Sequence, residues 1–310
     1  MPRDHIIPRF ILKGFSVNPS ANIVNQKVMI FDKATRTIKT EKISDAYTIR
    51  DFNSEKTEKF LAHEYESRVA KIFQKITKSV EDGNNSIFLN NSEYRLLFRF
   101  FIIMWRRNNI QVDRAKQMGL ELQKVMEVIL GKDLGSALKP EFQNRPFEEV
   151  YNEMFEKMKD ELGKNFYDKV IPETNDDDPT VQKTIKNYVP FIVHNKSNIH
   201  FLLHNSYATL RYMLPQGYDI RNISGYDEPS IIIEPISNTL CFCLILCEKE
   251  IDITKENFEI PINVYTDDED IKRDFIDGYI TSVAKSFIVD STNIDLVKKS
   301  SKVNDSEDND

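Results

Sequence analysis

A chain of 310 residues with 42 Lys+Arg against 49 Asp+Glu carries a net charge of −7, with 40% hydrophobic and 29% charged residues. That mix excludes a wholly disordered chain, and the length suffices to bury a core without disulfide or metal staples. The longest apolar run, Leu240–Cys247, falls well short of the roughly 20 residues a membrane helix needs, so no membrane partner is expected. Three cysteines are too few for a disulfide scaffold, and Met1-Pro2-Arg3-Asp4-His5 lacks the apolar segment of a secretory signal; a cytoplasmic location is therefore expected. With 9 glycines and neither G-x-x-x-x-G-K-[ST] nor G-x-G-x-x-G, the common phosphate-cradling loops are excluded.

In chain order, the apolar segment His5–Phe15, punctuated by Pro8 and Gly14, should pack into the body. Lys27–Phe31 and Thr37–Ile43 read as a β-hairpin joined around Asp32-Lys33-Ala34-Thr35. Leu61, Tyr65, Val69, Ile72, Phe73, Ile76 and Val80 fall at helical spacing, and Asp82-Gly83-Asn84-Asn85 ends that helix. Ser92 with Glu93 opens a second helix that runs to about Asn108 and is open to continuation as far as Leu130; its centre, Phe100–Trp105, is apolar all round and should be buried. Two further helices are expected over Phe147–Tyr167 and Val181–His194. Residues 199–213, 230–236, 239–248 and 257–265 are β-rich, and Thr266-Asp267-Asp268-Glu269 has the form of a capping box opening a last helix with Ile271, Phe275, Tyr279, Val283 and Phe287 inward. The order predicts one α+β domain over residues 1–290: a mainly helical centre with an N-terminal β-hairpin and a later antiparallel β-rich region closed by a C-terminal helix. Residues 291–310, ending in Asp305-Ser306-Glu307-Asp308-Asn309-Asp310, read as an acidic disordered tail.

Charge is unevenly spread: residues 1–130 hold 22 basic and 15 acidic side chains, the rest 20 and 34. This fits either a face that meets a polyanion or acidic loops that simply fall late. At 100° per residue, Arg95, Arg99 and Arg106 share one narrow face of the second central helix, a cationic stripe suited to nucleic acid. Arg107 projects from the apolar side of the same helix. A guanidinium there keeps its charge and needs an anionic partner, and Glu66, at the margin of the preceding apolar stripe, is the best-placed carboxylate. Glu64 faces water. The pair reads either as a helix-locking ion pair or as part of a polar cleft.

His5 in its apolar segment reads first as a satisfied core residue. His200 and His204 lie on one strand face, too far apart to chelate one metal together. Cys241, Cys243 and Cys247 read as buried inert thiols, because CxCxxxC on one strand does not supply a compact zinc site. Asp176-Asp177-Asp178-Pro179 reads as a solvated loop before a helix. No G-x-S-x-G nucleophile elbow, H-E-x-x-H or paired acidic metal motif is present, so no metal ligands are named, and the sequence leaves the cofactor open.

His5-Ile6-Ile7-Pro8-Arg9-Phe10-Ile11-Leu12-Lys13-Gly14-Phe15 resembles the opening H-x-x-P-x-x-x-L-x-x-F of the bacterial domain-of-unknown-function 4238 family. Met29-Ile30-Phe31-Asp32-Lys33 is similar to that family's next segment, Tyr65-Glu66 to its helical carboxylate position, and Arg107 to an Arg after an apolar helix. Phe201–Ala208 resembles its F-x-x-S-D-N-P-V turn and Ile233–Ser237 its later P-[LI]-S strand start, the matches together covering nearly the whole chain before the tail. Asn205 stands where the family usually has Asp, and Tyr207 where it has Pro. An Asn cannot act as a base or bind a metal as an anion, so if that Asp is catalytic in relatives, this copy is either inactive or works without it. The resemblance points to the bacterial accessory genome, where phage-defence and toxin genes gather.

His5, Glu66, Arg107 and Asn205 are therefore expected to converge in one polar pocket. Two functions of different class fit it. One is a nuclease or phosphodiester-processing effector, with His5 as acid or base, Glu66 as base or orienter, Arg107 on the phosphate and Arg95, Arg99 and Arg106 steering the nucleic acid. The other is a non-catalytic sensing module that holds a small anionic ligand or a peptide.

Overall fold

The computed structural model describes residues 3–50, 54–106, 145–146, 149–150, 152–153, 171–205, 209–211, 231–247, 250–280 and 285–299. Helix α4 (Asn91–Arg106) runs through the core, with Phe100, Phe101, Ile102, Ile103 and Met104 all buried, as an all-round apolar helix requires. Its N-terminus is set two residues earlier than Ser92 suggests. Asn90 Oδ1 accepts from Glu93 N (2.9 Å) while Glu93 Oε2 accepts from Asn90 N (3.0 Å), a reciprocal capping box with Asn in the capping position.

One side of α4 lies on a six-stranded sheet of order β5-β11-β6-β10-β9-β8, built from Ser86–Asn90, Asn257–Tyr265, Tyr188–Asn195, Leu240–Leu246, Ile231–Pro235 and Thr209–Arg211. Tyr94 stacks on Phe258 (3.9 Å between centroids) and Phe101 on Phe242 (4.8 Å). Along β11 the alternation of exposed and buried residues puts Phe258, Ile260 and Ile262 on this inner face. The sheet is mixed rather than purely antiparallel, because β11 runs parallel to β6.

A second sheet, order β3-β2-β12-β7, comprises Ile38–Lys42, Lys27–Asp32, Ser286–Val289 and Leu203–His204. The expected hairpin is its β2–β3 pair. A short antiparallel pair joins β1 (Arg3–His5) to β4 (Thr48–Arg50). Helices α1 (Arg9–Lys13), α2 (Glu55–Phe60) and α3 (Ser67–Glu81) cover the other side of α4, where the Phe73 ring meets Phe100 edge-on at 6.2 Å. The α+β class holds, with helices and mixed sheets around one core.

Several boundaries differ from the sequence expectation. The helix expected over Val181–His194 is α5 (Pro179–Asn187) followed at once by β6, which contains Pro190; proline cannot continue a helix, and Tyr188–Val193 is rich in β-formers. Phe287 lies in β12, not on the last helix. That helix, α6 (Asp268–Ile271) extended by a π-helical turn (Lys272–Ile276) and α7 (Asp277–Ile280), is capped by Asp267, which accepts from Glu269 N and Asp270 N, rather than by Thr266. Asn293 and Val297 are buried to 1% exposure, so the ordered body continues past residue 290. The expected extension of α4 to Leu130 and nearly all of the Phe147–Tyr167 helix lie outside the described residues.

Gly14 closes α1 against the turn after β9. A Cβ there would lie 2.6 Å from Ile236 O and 2.9 Å from Ser237 Cα, both backbone atoms, and Gly14 O already accepts from Asn238 N at 3.0 Å. Gly14→Ala should destabilise by about 2 kcal/mol through this overpacking. Thermal unfolding checks it, and an unchanged midpoint would show that the turn gives way freely.

Candidate functional site

The opening segment makes one wall of a cleft. Pro8 sets the start of α1, where the first turn has no need of its N–H. Ile11 and Leu12, both fully buried, fix which way the short helix faces. Arg9 and Lys13, four residues apart, then share the outward face. His5 precedes them in β1, and its Nε2 lies 3.0 Å from Ile43 O. A carbonyl oxygen only accepts, so Nε2 carries the hydrogen and Nδ1 carries the lone pair of the neutral ring.

The opposite wall is the helix running from α2 into α3. Between them the backbone widens into a π-helical segment, Leu61–Glu66, a local expansion frequent at functional sites. Glu58, Ala62, Glu66 and Ala70 repeat every four residues on the side facing α1, with Ser67 beside them. The small Ala62 and Ala70 leave room between the walls. The resulting cavity, about 420 Å³ and open to solvent, is lined by His5, Arg9, Phe10, Lys13, Glu58 and Glu66 together with those small residues.

The structure thus brings His5 and Glu66 to one cleft, while Glu64 points outward, 58% exposed. Arg107 lies outside the described residues, and so does the pairing expected for it with Glu66. Asn205 is spent elsewhere: its N donates to Ser286 O (3.2 Å) and its Oδ1 accepts from Lys285 N (3.2 Å), which ties β7 to β12, and it is not among the residues lining the cleft.

The arginine stripe corrects the sequence expectation most. Arg95, Arg99 and Arg106 do share a face, but that face meets protein. Arg106 holds Asp178 through two hydrogen bonds (2.6 and 3.2 Å) and also donates to Thr174 and Thr180. Arg99 lies 3.4 Å from Asp176 and over the Tyr65 ring, and Arg95 donates to Asn91 Oδ1 and Ile253 O. The physical reason is charge complementarity. Asp176 and Asp178, expected in a solvated loop, dock on the stripe, and Asp178 also caps α5 through Thr180 N and Val181 N. A stripe so engaged offers little to a polyanion.

The cations that line the cleft are Arg9 and Lys13, which sequence reading passed over. Among the described residues neither has an acceptor, whereas Glu58 and Glu66 already have partners. The signal was present as two cations at i, i+4 flanking the buried pair Ile11-Leu12. Glu234 was also passed over: it is 2% exposed, its Oε2 has no hydrogen-bond partner, and burial holds its carboxyl well above the usual range. Cys241 and Cys243 are buried with sulfurs 3.7 Å apart, and burial pushes the Cys241 thiol up. Among the described residues no group of three His, Cys, Asp or Glu could hold a metal ion, and no helix is long and apolar enough to cross a membrane.

A family model described as "Protein of unknown function (DUF4238)" matches residues 3–301. No curated protein and no solved structure is significantly similar to the chain.

Proposed function

The chain belongs to the DUF4238 family, and from that premise we propose that it processes a phosphodiester held by its end in the cleft between α1 and the α2–α3 helix. The observation that carries this reading is the pair of unpartnered cations, Arg9 and Lys13, beside His5 and Glu66. Two cations one helical turn apart suit a phosphate better than a single charge does, and Arg can bind two of its oxygens at once. His5 would act through Nδ1 as the base that activates a hydroxyl or water, because Ile43 O occupies Nε2–H. Glu66 would orient the nucleophile or the imidazolium. At about 420 Å³ the cleft suits a nucleotide-sized group rather than a duplex. Nucleic acid would therefore enter as a strand end or a short oligomer, and not along the Arg95–Arg106 face.

A second reading, a non-catalytic module for a small anion or peptide, draws on Glu58 and Asn205. Glu58 adds a second carboxylate to the cleft, so the formal charges of Arg9, Lys13, Glu58 and Glu66 cancel. Asn205 is neutral and tied to Lys285. Assays on short RNA, DNA and an activated phosphodiester, with and without Mg²⁺, separate the two. The enzyme reading expects turnover that falls about 100-fold or more in His5→Gln. It also expects KM to rise with little change in kcat in Lys13→Ala. Saturable binding of phosphate or oligonucleotide with no turnover selects the module. Neither binding nor turnover, or binding indifferent to Arg9→Glu and Lys13→Glu, would remove the cleft from consideration.

A further inference from the structure

We propose that His200 and Asp290 form a proton-operated clamp that fastens the segment following β12, residues 290–299, to the segment leading into β7. This clamp lies at the opposite end of the β7–β12 pair from Asn205 and is independent of the cleft.

The geometry is that of a built device. His200 Nδ1 lies 2.5 Å from Asp290 Oδ2. The other carboxylate oxygen accepts from Thr292 N (2.8 Å) and Thr292 Oγ1 (2.6 Å), so the carboxylate is fixed before the imidazole meets it. Backbone bonds lock the same two segments together: His200 N donates to Thr292 Oγ1 (2.9 Å) and Asn293 Nδ2 donates to His200 O (3.2 Å). Asp290 N in turn donates to Asn293 Oδ1 (2.9 Å). Below this network Asn293 and Val297 are buried, so whatever loosens it exposes the seat of the helical turn at residues 294–299.

The network ends on a titrating ring that is 28% exposed, enough for protons to reach it. A protonated imidazole makes a charge-assisted bond to Asp290, roughly twice as strong as the bond a neutral ring can offer. The groups facing it are few. From the turn at 236–240 comes Asn238, uncharged, 3.4 Å from Nδ1. Asp268, at the start of α6, is engaged by Asn198 N and Nδ2, two residues before His200. From the turn after β12 comes Asp290, the charged group that acts on the ring.

The hydrogen bond to Asp290 raises the His200 pKa against a smaller opposing effect of burial. For Asp290 burial is the largest single influence and acts upward, but His200 and Thr292 together outweigh it and lower the carboxyl. The sign follows. His200's contribution is complete below its unfolded value near 6.5 and is lost as pH rises through the raised value. Asp290's is complete above its unfolded value near 3.9 and is lost as pH falls through the lowered one. The clamp is therefore tightest in mildly acidic solution and slackens toward alkaline pH.

The test follows the His200 ring by NMR in the full chain and, in the same samples, amide exchange of residues 290–293, corrected for the intrinsic base catalysis of exchange. His200 should titrate above 6.5, and protection of 290–293 should fall across the interval from 6.5 to that midpoint, by about tenfold for each unit of the interval, and level off above it. Asp290→Asn keeps an oxygen for Thr292 N and should lower the ring's midpoint and abolish the titrating step in protection. A wild-type midpoint at or below 6.5, or protection that titrates alike in both proteins, overturns the clamp. Should the variant fold poorly, the wild type decides alone: protection that goes on falling past the ring's own midpoint, or does not fall below it, overturns the clamp.

Discussion

Asp178→Ala is expected to cost about 4 kcal/mol of stability: about 3 from stranding a guanidinium in a poorly solvated place and about 1 from losing a helix cap. Asp178 is only 9% exposed, and its partner Arg106 20%. Its two oxygens take two bonds from Arg106 and two from the α5 backbone at Thr180 and Val181. After truncation the guanidinium keeps only the neutral hydroxyls of Thr174 and Thr180. Asp178→Asn should recover the cap but not the charge, and so fall between Ala and wild type. Burial is the largest single influence on this carboxyl and acts upward, but Arg106 and the amides of Val181 and Thr180 together hold it below the usual range. Its contribution is therefore present above about pH 4 and lost as pH falls through the lowered value. Urea unfolding at pH 7 and at pH 3 reads both effects. A loss below about 1 kcal/mol at pH 7 would mean that the pair is no stronger than a surface ion pair.

Phe101→Ala should be of similar size, about 4 kcal/mol, through the cavity it opens at the centre of the molecule. Phe101 is 2% exposed and touches three elements. It stacks on Phe242 of β10 at 4.8 Å, meets Phe100 of its own helix at 5.5 Å and lies 6.3 Å from Phe73 of α3. No single neighbour can move to fill the gap without leaving another contact. Phe101→Leu should cost less than half as much, because the aliphatic side chain refills most of the volume. Equal losses for Ala and Leu would assign the effect to ring stacking rather than to volume, and denaturant midpoints for the two variants decide.

The two predictions sit on opposite sides of one helix, and they mark how far the amino-acid order could be read. The burial of Phe100–Met104, the outward position of Glu64 and the common face of Arg95, Arg99 and Arg106 all follow from a 3.6-residue period, a property of the chain over a few turns. The β2–β3 hairpin was equally legible, since its strands and turn are neighbours in sequence. Helix ends were read less well. Asn90 stands two residues and Asp267 one residue from another plausible cap, and the choice between such neighbours is made by which backbone N–H groups are left to satisfy.

Partners distant in sequence were not legible. Arg106 meets Asp178 across 72 positions and His5 meets Ile43 across 38. A cationic stripe looks the same along the chain whether a polyanion or an acidic loop will cover it. Docking of the 174–180 segment turned two apparent nucleic-acid contacts, Arg99 and Arg106, into internal ones, Arg95 bonds to Asn91 and Ile253, and Arg9 and Lys13, on a helix of five residues, are left facing the cleft. The family motif divides the same way. Pro8, Leu12 and Phe15 could be assigned to the body from their chemistry, whereas His5 reaches a cleft only because α2 and α3 pass beside α1 and widen into a π-turn at Glu66. Periodicity is a local property that the order of residues carries in full, while the identity of what faces a side chain depends on how whole elements pack, and that is settled by the sum of many weak contacts made at once.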